Sequence, residues 1–168
     1  MTWVQQASRR AVASTNRTAQ KGPFVSQSKR AARDEFGFWW PVTVRWGDMD
    51  ALGHVNNCAY FQYLECARIG YFEAMGWDSR DTTPTRKGPI IVSQTFNYRR
   101  QLLYPAEVEV GVACREIRNR SFVLAYAVFR RGTDDLYGDG STVLVWLDFS
   151  ANTAVQLPPQ VREYLIGR

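Results

Sequence analysis

The stretch Arg45-Trp-Gly-Asp48-Met-Asp50-Ala-Leu-Gly53-His54-Val-Asn56-Asn57-Cys-Ala-Tyr60-Phe-Gln-Tyr63-Leu-Glu65-Cys-Ala67-Arg68 changes character halfway along. Up to Asn57 it packs two carboxylates, the chain's single histidine and two amides into thirteen residues. Beyond that point Tyr60, Leu64, Ala67, Tyr71 and Met75 recur at three- and four-residue steps, with Phe61 and Phe72 widening the stripe. This spacing predicts a helix over Asn57 to Met75, with Gly76 as its stop. Upstream, Trp40, Val42, Val44 and Trp46 alternate with Pro41, Thr43 and Arg45, which predicts a half-buried strand over Trp39 to Trp46. The polar cluster therefore falls in the loop that delivers the chain to a helix N-terminus. Backbone N–H groups there point outward unpaired, with about half a positive charge behind them. Such an end can polarise a carbonyl oxygen, and a nearby carboxylate can attack the carbon or activate a water. The local chemistry is that of acyl transfer or hydrolysis.

Residues 77 to 88 are loop-like in composition. Four β-type runs follow: Pro89 to Arg99, Glu107 to Ile117, Ser121 to Arg130 and Leu136 to Asp148. The turn segments between them are short, which implies antiparallel hairpins. The tail from Leu157 to Leu165 predicts one short helix with prolines at its start. The order is one strand, one long helix, then four strands, with no internal repeat. A long helix with a wide apolar stripe must bury it against a sheet. An antiparallel sheet curled around that helix is the economical solution.

These residues resemble a known signature. Asp48-x-Asp50-x-x-Gly53-His54-Val55-Asn56-Asn57-x-x-Tyr60-x-x-Tyr63-x-Glu65-x-Ala67-Arg68 is similar to that of the hot-dog-fold acyl-thioester hydrolases of the 4-hydroxybenzoyl-CoA thioesterase group, and its His-Val-Asn-Asn portion is similar to acyl-ACP thioesterases. Phe96-x-Tyr98-x-Arg100-x-Leu102-x-Tyr104-Pro105-x-Glu107-Val108-Glu109-Val110 and Arg120-Ser121-Phe122 resemble the same group further along. The resemblance runs from about residue 40 to 165. It implies an α+β hot-dog fold with a five-stranded antiparallel sheet wrapped around one long central helix, and two or four copies per assembly.

The resemblance also implies roles. Asp50 becomes the catalytic carboxylate at a subunit boundary, and the backbone N–H at about Asn57 polarises the thioester carbonyl. Acyl-CoA lies along that boundary, with its phosphates held by surface arginines. Arg115, Arg118 and Arg120 are the candidates because they flank a turn and offer bidentate contacts. Ser121 touches the substrate in some relatives. Read from the residues themselves, His54 is either a base or substrate-positioning group or a loop histidine satisfied by backbone. Asn56 and Asn57 are good N-cap types, Asn56 being also a candidate for substrate contact. Tyr60 and Tyr63 belong to the core stripe or border an acyl pocket. Asp48 orients the loop by capping backbone N–H groups, and Glu65 with Arg68, three apart, form an ion pair. There is no Gly-x-Ser-x-Gly elbow.

Composition narrows the remaining classes. At 168 residues and 45% hydrophobic the chain has material for one core. Of 21 basic and 16 acidic side chains, seven and two fall in residues 1 to 36, so the rest is balanced and its charge gives no footprint for nucleic acid. That basic segment, rich in Ser, Thr, Gln, Ala and Arg, is set apart from the domain at 37 to 168. It reads as a tail or as a transit peptide. Three cysteines with one histidine lack the spacing of a zinc site, so no metal or other cofactor is expected, and the thiols are expected reduced and buried, Cys58 and Cys66 as packing residues of the helix. No run is long and apolar enough for a membrane span. The expectation is a cytoplasmic enzyme, or a mitochondrial one if residues 1 to 36 are a transit peptide, that hydrolyses acyl-CoA to acid and CoA. An acyl-ACP thioesterase and a non-catalytic acyl-thioester-binding or assembly subunit are the alternatives.

Overall fold

The computed structural model describes residues 30 to 167; most of the basic extension, 1 to 29, lies outside them. Strand β1 (Phe38–Thr43) leads through a 3₁₀ turn at Trp46–Asp48 and a tight loop into helix α1 (Asn57–Ala74). Strands β2 (Lys87–Tyr98), β3 (Glu107–Ile117), β4 (Ser121–Arg130) and β5 (Leu136–Asp148) follow, then β6 (Thr153–Ala154) and helix α2 (Pro159–Ile166). The sheet order is β1-β3-β4-β5-β2, antiparallel throughout, with β6 paired to the end of β5. The five expected strands are all present. The two residues of β6 are too few to show alternation in sequence.

Helix α1 lies across the inner face of the curled sheet. Tyr60, Leu64, Ala67 and Tyr71 are buried against inward residues of the strands, among them Val108, Val110, Phe122, Leu124 and Leu144. Each such aliphatic or aromatic side chain contributes roughly 2 kcal/mol of transfer free energy. The helix can come this close because of Gly70, where a Cβ would stand 2.5 Å from the Trp40 ring. Gly76, at φ +86°, ends the helix as expected. Helix α2 closes one end with Val161 and Leu165, and its Tyr164 ring meets Tyr71 edge-on, centroids 5.4 Å apart. Pro41 is accommodated because β1 is an edge strand.

Three expectations are corrected. Strand β1 ends at Thr43 instead of Trp46, because Asp48 folds back on Arg45 and draws the chain into the 3₁₀ turn. Cys58 and Cys66 are exposed and only Cys114 is half-buried, since positions 58 and 66 fall off the inward arc of α1. Glu65 and Arg68 do not pair: Glu65 points to solvent, whereas Arg68 turns inward to 6% exposure, and its Nη1 has no hydrogen-bond partner among the described residues.

Residues 31 to 36, set outside the domain in the sequence, pack on the outer face of the sheet. Phe36 is buried with Ala113, Ala127 and Phe129, and the Arg33 guanidinium lies 4.2 Å from the Trp39 ring centroid while pairing with Glu109. No described helix is long and apolar enough to cross a membrane.

Candidate active site

The loop between β1 and α1 is a miniature hairpin. Met49 bridges Val55, Asp50 N–H donates to the His54 carbonyl (3.0 Å), and Gly53 N–H returns to the Asp50 carbonyl (3.0 Å). Gly53 at φ +81° supplies the left-handed residue that such a turn requires. Two further bonds fix the hairpin to its surroundings: Val55 N–H to the buried Leu102 carbonyl (2.9 Å) and Asn56 N–H to the Asp48 carbonyl (2.8 Å).

Asp48 is the buried anchor. Its carboxylate accepts from Arg45 N–H (2.8 Å), Arg45 Nη2 (2.8 Å) and the Tyr63 hydroxyl (2.6 Å). Burial pushes this carboxyl upward, but the hydrogen bonds from Arg45 and Tyr63 outweigh it and hold it below the ordinary carboxylate range. Tyr63, in turn, is driven up by burial and by the Asp48 charge, so it stays a donor. It is a clamp on the loop, buried at 4% exposure. Tyr60 is equally buried and packs against Tyr63, Phe96 and Tyr98.

Asp50 faces the other way. Its side chain is 22% exposed; Oδ1 accepts from Leu52 N–H (2.8 Å) and Oδ2 lies 3.4 Å from Asn56 Nδ2. The His54 Nδ1 is 3.3 Å from the Val55 carbonyl and 3.9 Å from Asp50 Oδ1. A carbonyl can only accept, so in this contact the hydrogen is on Nδ1. Asn56 is the N-cap of α1: Oδ1 accepts from Cys58 N–H (2.8 Å), and its carbonyl accepts from Ala59 N–H. Among the described residues, Asn57 N–H is left without a partner, at a helix start and on an exposed residue. Asn56 thus bridges the Cys58 N–H of the first helical turn and the Asp50 carboxylate, next to the free Asn57 N–H.

An open depression of about 510 Å³ adjoins Asp50, lined by Trp46, Gly47, Met49 and Tyr104. Sequence reasoning took Trp46 as the last alternating position of the first strand and Tyr104 as part of a turn, and assigned neither to the site. Only the exposure of Trp46, at 78%, marks it out.

The arginines are elsewhere. Thr43, just before the loop, pairs with Glu107 at the start of β3, whereas Arg115, Arg118, Arg120 and Ser121 surround the β3–β4 turn at the far end. At about 3.4 Å per residue that is roughly 30 Å away along the sheet. Arg115 pairs with Glu35 (2.6 Å) and Arg118 with Glu116 (2.7 Å); Arg120 is exposed at the turn. None of them meets Asp50 within one protomer. Among the described residues no three His, Cys, Asp or Glu side chains are grouped to share a metal ion.

Comparison with known proteins gives the family of the fold that carries this loop. A sequence model of the thioesterase-like superfamily matches residues 44–165. The long-chain acyl-CoA thioesterase FadM of Escherichia coli is 22% identical over 131 residues, covering 74% of this chain and 93% of that protein. Among solved structures, the PA2801 protein of Pseudomonas aeruginosa superposes with a TM-score of 0.70 at 34% identity, covering 75% of this chain and 95% of the other. A thioesterase of Thermus thermophilus, solved with coenzyme A and zinc, gives 0.67 at 31% identity, with coverage of 77% and 98%. A curled antiparallel sheet around one long helix, matched in sequence and in structure, makes this chain a hot-dog-fold thioester hydrolase, a member of the thioesterase-like superfamily.

Proposed function

We propose that the protein hydrolyses acyl-CoA thioesters to free acid and CoA, with Asp50 as the reacting carboxylate and Asn57 N–H as the oxyanion donor. One observation carries this reading: a free N–H at the start of α1 and a part-exposed carboxylate, joined through Asn56, on one short loop. The similarity to an acyl-CoA thioesterase and to a thioesterase solved with coenzyme A supports the choice of carrier.

The substrate carbonyl oxygen accepts from Asn57 N–H, and the helix dipole favours the negative charge that develops there. Asp50 then adds to the carbonyl carbon, the C–S bond breaks, CoA leaves as thiolate and is protonated by water, and water hydrolyses the resulting anhydride. In the second route Asp50 takes a proton from a water that attacks instead, and CoA leaves from the tetrahedral intermediate. Leu52 N–H and Asn56 hold the carboxylate in either case, and His54 positions the substrate beside it.

Two copies complete the site. Strand β2 is an edge strand with Ile91 and Val92 exposed. Antiparallel pairing of two β2 edges brings the β3–β4 turn of one protomer to the Asp50 end of its partner, so Arg120 can reach CoA phosphates across the boundary.

The experiment is CoA release from an acyl-CoA panel by the wild type and Asp50→Asn. Turnover should fall by at least about a thousandfold in the folded variant. Survival of turnover would remove Asp50 from the chemistry. Label from ¹⁸O-water found in Asp50 after a single turnover would select the anhydride route.

A further inference from the structure

The depression beside Asp50 has a wall chemistry that the hydrolytic reading leaves unused. Trp46 and Tyr104, 78% and 47% exposed, line it together with Gly47, Met49 and Asp50. Exposed apolar residues scattered singly are ordinary; two large exposed aromatic residues lining one hollow together with a carboxylate are a different pattern. Neither ring packs against another ring among the described residues. Their backbone, in contrast, is firmly held. Trp46 opens the 3₁₀ turn that Asp48 secures, with Met49 N–H bonded to the Trp46 carbonyl (3.2 Å), and Tyr104 follows two residues after the buried Leu102. Gly47 has no strained φ, and a Cβ placed there would meet nothing within 4 Å. The glycine is therefore not demanded by the fold, and its missing side chain keeps the hollow open.

We infer that this depression is the acyl slot of the thioester site: Trp46 and Tyr104 flank a hydrocarbon acyl chain whose carbonyl carbon lies at Asp50, over the bare floor at Gly47. The inference rests on the hydrolase reading with Asp50 at the reacting carbon. The acyl arm fits better than the pantetheine arm, because pantetheine carries two amides that need partners, and these walls are mostly carbon. The substrate class that follows is apolar acyl groups of medium or long chain.

The test measures kcat and KM on acetyl-, butyryl-, octanoyl-, dodecanoyl- and palmitoyl-CoA for the wild type, Trp46→Ala and Gly47→Leu. Sedimentation and circular dichroism of each variant establish its assembly and fold. The wild type should favour the longer chains. Both variants should lose at least about tenfold in the ratio of dodecanoyl to butyryl kcat/KM, mainly through KM, because methylene contacts are removed or displaced. An unchanged ratio in folded variants overturns the slot. So does an equal loss at every length, or a change of assembly accompanying it, because Trp46 would then support the loop or a subunit contact. A wild type that turns over only short or polar acyl groups sinks the slot and leaves the hydrolase reading intact. One that turns over no thioester removes that reading first.

Discussion

Asp48 and Asp50 are two residues apart and share one chemistry, yet one is sealed under Tyr63 while the other meets solvent. The division sets a pH dependence. A carboxyl held low in the folded protein contributes stability that is fully present above its ordinary value, 3.8 for Asp48, and lost as pH falls through the folded value. The wild-type thermal midpoint should therefore drop on acidification below about pH 4, and Asp48→Asn should show a shallower drop over the same window in parallel melting curves. Asp148, lowered to about 2 by Ser150, the Ala151 N–H and Lys87, titrates in both proteins and leaves a residual slope. Arg68 presents the opposite case. Its guanidinium is buried beside the Tyr126 hydroxyl with no carboxylate paired to it among the described residues. An unpaired buried cation is costly, and an apolar replacement of similar length removes that cost. Arg68→Met should raise stability by about 1 kcal/mol in denaturant unfolding; a loss of stability would mean that an anion compensates the charge.

Helix α1 depends on one small residue. In Gly70→Ala the new methyl would collide with the Trp40 ring, which packs against the core, so the substitution should destabilise by about 1–3 kcal/mol despite alanine's better helix propensity. The same helix shows what sequence reading can reach. Its stripe of Tyr60, Leu64, Ala67 and Tyr71 was legible, because periodicity records which side faces the sheet. Strands β3, β4 and β5 begin and end where their alternation and turns predict. What stayed hidden depends on contacts between distant residues: the inward turn of Arg68, the bond from Tyr63 to Asp48, and the 30–36 segment whose partners lie on β1, β3 and β4. The candidate site was legible as a polar cluster on a loop. Its hydrogen bonds, which decide that Asp50 and not Asp48 is available, were not.

At the scale of the whole molecule, one protomer holds the Asp50 loop at one end of the sheet and its turn arginines at the other. The proposed pairing across β2 would unite them. Arg120→Glu should then raise KM for an acyl-CoA several-fold while leaving KM for the matching acyl-pantetheine, which lacks the nucleotide phosphates, near its wild-type value. Equal effects on both substrates would place Arg120 outside the CoA site. The outer face carries a separate consequence. Phe36 and Arg33 cover Trp39 and Phe129, upstream of the residues shared with the superfamily. A maturation cut before Ala31 leaves that cover in place, whereas one after Phe36 strips it and exposes an aromatic patch on the back of the enzyme. The position of Phe36 therefore sets a limit on how far any processing of the N-terminal segment can go before it yields a sticky product.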